Sequence, residues 1–383
     1  MNVPSPTKWI NGEFTSKQIK KIHIEDLLGR ESIKLDPVRL SKEFEDKTIL
    51  VTGAAGSIGS EIVRQLVAYS PEKVIILDQA ESPLYNLEVE LKEKGLLHLT
   101  ESVIGDIRNY ERLENVFKTF RPDYIFHAAA YKHVPLMENN PSEALITNVL
   151  GSKNLVNLSL EYNVDRFVLI STDKAVNPTN VMGCSKRIAE IYAQSANQLG
   201  RTKFITTRFG NVLGSNGSVI PLFKKQIDNG GPITVTDERI TRFFMTIPEA
   251  CQLVLEAESM GNGGEIFVFD MGESVRIYDL AKKMVKLSGL ELGKDIEIKI
   301  TGLRPGEKLY EELLTNEENT QETHHPQILI AKVRDYNFKE ISESITLLTT
   351  LFESQDNLAI VQKMKDIVPE FRSNNSIFEK LDK

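Results

Sequence analysis

Four consecutive residues, Ser171-Thr172-Asp173-Lys174, set two hydroxyls, a carboxylate and an ammonium directly after the apolar run RFVLI. An acid beside a base suits a reaction in which one proton is taken from a substrate carbon and another is delivered to a leaving oxygen, as in the loss of water. For that work desolvation must raise the Asp173 pKa, and burial or a nearby positive charge must lower that of Lys174. Lys186 follows Met182 by four residues in MGCSK, so the two share one helical face. The Met182 thioether cannot accept a proton at neutral pH.

A second set of residues suits phosphate. TILVTGAAGSIGSEIVRQL places Gly53, Gly56 and Gly59, with Ser57 and Ile58 among them, between an apolar run and an amphipathic one. In a strand-to-helix turn the first glycine allows the tight bend, the second lets backbone approach a pyrophosphate, and the third lets helix pack on strand. The helix N-terminus adds unpaired N–H donors and a positive dipole end. Nineteen residues after Gly59, KVIILD ends at Asp78, close to the offset of about 20 at which an acidic residue binds the adenosine ribose. A carboxylate there repels a 2′-phosphate, so the pattern favours NAD over NADP. GDI then offers Asp106 and Ile107 to an adenine edge, and HAAA leaves room beside Ala128, Ala129 and Ala130. Each fits ordinary packing when taken alone; their order along the chain is what points to a dinucleotide.

These residues need a scaffold that brings them to one edge. Short apolar runs (TILVTGA, KVIILDQ, ESVIGDI, YIFHAAA, RFVLIST, KFITTRF) alternate with amphipathic stretches such as SEIVRQLVAY and NYERLENVFKTF. Runs that are apolar throughout predict strands buried on both faces, hence a doubly wound, Rossmann-like parallel α/β sheet with ligands at its carboxyl edge. Residues 1–46 read as a leader or linker and 47–210 as the dinucleotide-binding domain, completed by returning segments. Residues 211–330, with PITVT, EIFVFDMG and DIEIKI, read as a smaller substrate lobe. The tail, 331–383, carries a helical stretch that caps the fold or serves a partner.

The 383 residues are 41% hydrophobic and 26% charged, which excludes a disordered or low-complexity chain. Lys and Arg number 46 against 54 Asp and Glu, a net charge of −8, so no global positive field exists to gather nucleic acid. An anionic ligand needs a local basic pocket. Cys184 and Cys251 are too far apart in sequence to form a metal or redox pair, which predicts free thiols and a cytoplasmic setting.

In the order GxxGxxG, GDI, HAAAYKHVPLME, NVLGS, STDKA, MGCSK and TRFGNV, over roughly residues 47–320, the chain resembles the extended short-chain dehydrogenase/reductases. Within them it is most similar to the CapD-like UDP-N-acetylglucosamine 4,6-dehydratases of bacterial polysaccharide biosynthesis. The resemblance implies a tightly held NAD, C4 oxidation, loss of water across C5 and C6, and hydride return to C6. It implies Thr172 at the C4 hydroxyl, Asp173 as acid, Lys174 as base and Lys186 at the nicotinamide ribose. Most relatives carry Tyr where this chain has Met182, which leaves an inactive protein or a Met-bearing branch of active enzymes; Lys174, Asp173 or a water are the candidates to take the C4 hydroxyl proton. Asn211 is implied at the diphosphate or sugar, and Val219, Pro221 and Phe223 around the uridine. Lys224 and Arg242 are implied at the phosphates, Arg304 with Glu307 closing over the nucleotide, and Lys132 and His133 at the sugar edge. No metal is expected. A sugar-nucleotide epimerase and a silent nucleotide-binding scaffold are the rival readings. The stretches EALITNVLGSKNLVNLSLEY and CSKRIAEIYAQSANQLG are apolar enough to pair in a homodimer or to lie in a monomer core. IHIEDLLGR resembles the segment preceding the catalytic domain in membrane-anchored members, so a catalytic portion or short form of such a protein is expected.

Overall fold

The computed structural model describes residues 37–314 and 320–382. Each of the six apolar runs forms a strand: β1 (Thr48–Thr52), β2 (Lys73–Asp78), β3 (Thr100–Ile104), β4 (Tyr124–His127), β5 (Arg166–Ile170) and β6 (Lys203–Arg208). They pair in parallel in the spatial order 3-2-1-4-5-6. The winding reverses between β1 and β4, so the connections leave in opposite directions there and open a crevice above the strand ends. Thr52, at the end of β1, pairs with His127 of β4, so the two strands finish level at that crevice.

The sheet is larger than the six runs. β7 (Ile266–Phe269) joins β6 in parallel; β8 (Thr320–Glu322) and β9 (Ile328–Ala331) close that edge as an antiparallel pair against it. All four residues of β7 are buried, and an all-apolar strand finds two covered faces only in the main sheet. The helix Ile247–Met260 returns with it and packs on the helix Ser57–Leu66. The expected substrate lobe therefore keeps only part of 211–330. Its short strands Ile233–Val235 and Ile298–Ile300 pair in parallel, and Thr241–Arg242 pairs with Val275–Arg276.

Two apolar layers flank the sheet. One holds the helices Ser57–Leu66, Glu81–Glu93 and Ile247–Met260, and also Pro37–Phe44, whose Leu40 and Phe44 are fully buried. The last stretch of the expected leader thus belongs to the core, while residues 1–36, including IHIEDLLGR, lie outside the described residues. The other layer holds Tyr110–Phe120, Gly151–Glu161 and Val181–Ala196, together with the tail helices Phe338–Thr350 and Asn357–Ile367. Every residue of Val181–Ala196 except Gln194 is buried within this single chain, and both tail helices pack on it. The tail caps the fold, and that helix's apolar residues are already covered inside the chain. No described helix is long and apolar enough to cross a membrane.

Because Leu348 of the tail is wholly buried and Leu347 beside it is 54% exposed, Leu348→Ala should cost about 2–5 kcal/mol, whereas Leu347→Ala should stay within about 0.5 kcal/mol. Urea-unfolding midpoints measure both; equal midpoints would show the tail to be a detached appendage.

Candidate active site

β1 runs straight into the glycine turn. Gly53 has φ 68°, and a Cβ on it would stand 2.5 Å from the Ala129 amide nitrogen, because the chain leaving β4 crosses there. A Cβ on Gly59 would stand 2.1 Å from the Gly53 carbonyl oxygen, so its bareness lets the helix seat on the turn. Asp78 accepts hydrogen bonds from the Ala55 amide at 3.0 Å and the Ala80 amide at 2.9 Å, tying the end of β2 to the same turn. Ala129 backs onto Gly53, while Ala128 and Ala130 face a cavity of about 700 Å³ above β1, β4, β5 and β6. Gly53, Gly56, Ser57, Ile58 and Gly59 also line it.

Beside this turn, Asp106 lies outside the cavity lining, paired with Arg108 at 2.6 Å. Ile107 is buried against Gly151, where it supports the layer beneath the sheet and presents no edge to the cavity.

The end of β5 carries the Asp173–Lys174 pair. Lys174 Nζ donates to Asp173 Oδ1 at 2.9 Å and to Asn211 Oδ1 at 3.2 Å, and lies 3.6 Å from Glu311 Oε1. Thr172 Oγ1 also donates to Asp173 Oδ1, at 2.9 Å. Asp173 is fully buried beneath the lining, and its Oδ2 has no hydrogen-bond partner among the described residues. The expected fall in the Lys174 pKa is not what the structure gives. Burial pushes it down, but the carboxylates of Asp173 and Glu311 outweigh that and raise it. In the resting site the proton sits on Lys174.

Gly183 explains how a helix comes so near. A Cβ there would stand 2.0 Å from the Lys174 carbonyl oxygen, so only bare backbone lets Val181–Ala196 lie against the pair. Asn180 Oδ1 caps that helix by accepting from the Gly183 amide at 2.7 Å. Met182 and Lys186 both face the cavity, and Lys186 Nζ donates to the Ile170 carbonyl at 2.6 Å. Burial lowers the Lys186 pKa to about 8, against an opposing pull from Glu190.

The far wall comes from the smaller lobe. Val219, Leu222 and Phe223 line the cavity, while Pro221 and Lys224 are exposed outside it. Val219–Asp228 is a helix, so its inner face follows positions i, i+3 and i+4 and leaves out the expected Pro221 and Lys224. Lys132, His133, Asn211, Arg242, Arg304 and Glu307 all line the cavity. Burial lowers the His133 pKa, helped by Lys132 and Arg304, and its ring covers Gly217. Arg242 is engaged by the loop above it, donating to the carbonyls of Thr241 at 2.7 Å and Lys308 at 2.9 Å, and lies 3.5 Å from Glu307 and 3.7 Å from Glu311. Arg304 is 58% exposed at its side chain and pairs with Glu307 at 3.0 Å, which makes it the more available cation. Glu311, Gly183 and Glu190 were not singled out in the sequence. Glu190 stands four residues after Lys186, a spacing that could have revealed it; nothing marks Glu311 within EKLYEELL. No metal-holding group of His, Cys, Asp and Glu occurs among the described residues.

The model of the family described as polysaccharide biosynthesis protein matches residues 49–333. The chain belongs to that family. The capsular polysaccharide biosynthesis protein CapD of Staphylococcus aureus is 48% identical over 363 residues, covering 94% of this chain and 60% of CapD. This chain therefore spans well under two thirds of the CapD length. A Campylobacter jejuni protein named UDP-N-acetylglucosamine 4,6-dehydratase (inverting) is 36% identical over 72% of this chain and 80% of its own length. A Rickettsia canadensis protein named UDP-glucose 4-epimerase is 38% identical over the same shares. Among solved structures, Pen from Bacillus thuringiensis superposes with a TM-score of 0.70 at 35% identity, over 82% of this chain and 99% of Pen. The fold is that of the extended short-chain dehydrogenase/reductases, and the family's sequence order is carried on the strand ends described above.

An ammonium beside the nicotinamide ribose, where the family resemblance puts Lys186, adds attraction for an anionic dinucleotide only while it is charged. Raising pH through about 8 removes the Lys186 proton, so NAD affinity, read by fluorescence titration of NADH, should fall between pH 7 and 9. Lys186→Met should bind more weakly and lose that dependence; an unchanged pH profile in the variant would place the titration elsewhere.

Proposed function

We propose that the chain dehydrates UDP-N-acetylglucosamine to the 4-keto-6-deoxy sugar nucleotide with a tightly held NAD. The observation that carries this reading is the 2.9 Å hydrogen bond between Lys174 Nζ and Asp173 Oδ1 at the cavity edge. Transfer of one proton along that bond converts an ion pair into a neutral amine and a carboxylic acid. A buried site favours the uncharged pair relative to its cost in water. In that form Lys174 takes the proton from C5, and Asp173, enclosed beneath the lining, delivers one to the C6 oxygen through the Thr172 hydroxyl bonded to its Oδ1; the C5–H and C6–O bonds break, C5=C6 forms, and water leaves.

The glycine turn fits a dinucleotide because Gly53 and Gly59 close it without side chains and Gly56 opens the helix beyond. Gly53, Gly56, Asp78 and Lys186 would hold the group, and Asp78 favours NAD over NADP. When bound, it supplies reversible hydride acceptance. Met182 lines the cavity, and its thioether moves no proton. Asn211 orients Lys174, and Arg304 with Lys132 supplies the local positive charge that a diphosphate needs in an acidic protein. The buried free thiols of Cys184 and Cys251 and a nucleotide-sugar substrate fit work in the cytoplasm.

A 4-epimerase is the second reading, favoured by the relative of that name. It would need no acid at C6, and so gives Asp173 no task. Proton NMR of the protein with UDP-N-acetylglucosamine in deuterated water separates the two. A new C6 methyl signal with deuterium at C5 is the expected result; the 4-epimer alone would replace this reading, and no conversion with NAD added would remove both.

A further inference from the structure

We propose that the C-terminal segment Arg372–Ser376 is a positioning strap, which holds the nucleotide-facing rim Leu303–Glu307 in register with the segment that enters the Met182–Lys186 helix. The proposal rests on the nucleotide-sugar reading of the cavity.

Three stretches far apart in sequence interlace at this rim. The Asn374 amide donates to the Thr179 carbonyl at 3.1 Å, and the Asn374 carbonyl accepts from the Gly306 amide at 2.8 Å, so one residue bridges the helix entry and the rim through its backbone. Its side chain adds a second tie, with Nδ2 donating to the Glu307 carbonyl at 2.9 Å. Asn375 Nδ2 donates to the Leu303 carbonyl at 2.8 Å. On the other side, the Arg372 amide donates to the Pro178 carbonyl at 3.1 Å, and Ser376 Oγ donates to Glu138 Oε2 at 2.6 Å. The same Glu138 accepts the Val181 amide through Oε1 at 2.7 Å, at the first turn of the helix that carries Met182 and Lys186. Directly between rim and helix entry, Thr179 Oγ1 and Asn180 Nδ2 donate to the Gly306 carbonyl at 3.1 and 3.0 Å.

Gly306 shows how close the fit is. It has φ 76°, and a Cβ on it would stand 2.5 Å from Asn180 Cβ, so the rim is pressed onto the residue that caps the helix. Arg304, an exposed cation of the cavity, and Glu307, which pairs with both Arg304 and Arg242, ride on this loop. Among the described residues, the rim has no strand or helix of its own between Ile300 and Leu314. Its placement comes from neighbours, and the strap supplies two side-chain and one backbone hydrogen bond to it. Asn374 and Asn375 are therefore positioning residues: they touch carbonyls of the rim and set where its charges stand. The segment is anchored to the core at its two ends, by Phe371 and Phe378, both buried. Replacing the two asparagines therefore leaves those apolar anchors in place.

The test uses the whole chain carrying Asn374→Ala with Asn375→Gly; glycine suits the left-handed φ of 51° at position 375. Calorimetric titration with UDP alone, and steady-state turnover of the nucleotide sugar, are measured beside the unfolding midpoint and the NAD content. The proposal expects the UDP Kd and the sugar-nucleotide KM to rise about tenfold together, at roughly threefold per lost hydrogen bond, with kcat, NAD content and midpoint held. Asn375→Gly alone should show the smaller part of the rise and serves if the double variant does not fold. An unchanged Kd and KM in a folded variant, or a fall in kcat at constant KM, overturns the strap. Absence of UDP binding by the unaltered chain overturns the nucleotide reading, and the strap with it.

Discussion

One buried carboxylate clamps the three elements that the cavity depends on. Glu190 is fully enclosed and accepts from Ser171 Oγ at 2.5 Å, from Arg208 Nε at 2.9 Å and Nη2 at 2.7 Å, and from Arg187 Nη1 at 3.0 Å. Burial alone would raise its pKa, but the two arginines and the serine hold it at about 2. Those partners sit at the end of β5, on β6 and on the Val181–Ala196 helix, which carry Thr172 to Lys174, lead into Asn211, and present Met182 and Lys186. Such a cluster tolerates no missing member, since removing one leaves buried charge uncompensated at roughly 3–5 kcal/mol. Glu190 also works against the burial that depresses Lys186, so the same group sets geometry and charge.

Around that clamp the site divides into a fixed side and a fastened side. The strand ends, the glycine turn and the helix bearing Gly183 form a rigid wall, because each contact there is backbone against backbone at distances that exclude a side chain. The opposite wall is loop, held by Arg242 from below and by hydrogen bonds from the tail. The proposed function gives the chemistry to the rigid wall and ligand recognition to the fastened one. Lys174 belongs to the first but is charged in the resting state by Asp173 and Glu311. Its use as a base therefore follows from proton transfer within the pair, where desolvation alone would not suffice.

All six strands were legible, because an apolar run buried on both faces has few alternatives. Gly53, Gly59 and Lys186 were legible because turn and helical spacing are local, whereas Asp78 stands at the expected offset but, like Asp106, outside the cavity lining. The misreadings have local causes as well. Pro221 and Lys224 were carried over from the family resemblance, and the helix Val219–Asp228 turns both away from the cavity. Ile107 reads alike as a cofactor edge and as a core residue until Gly151 is seen beneath it. Glu311 and the tail contacts depend on pairings across 67 residues or more, which one-dimensional spacing does not carry. The direction of the Lys174 shift follows first from Asp173, its neighbour in the chain, with Glu311 adding to it, so the sequence reading gave burial too much weight against an adjacent carboxylate.

The central claim is that Asp173 and Lys174 perform the elimination while leaving the oxidation at C4 to the rest of the site. Single-turnover absorbance at 340 nm, with NAD-loaded Lys174→Ala and excess UDP-N-acetylglucosamine, tests it most directly. The account predicts a rise that persists, with reduced dinucleotide held because no water is lost and no C6 methyl forms. A variant that forms the methyl product at the normal rate, with no lasting 340 nm signal, would contradict it.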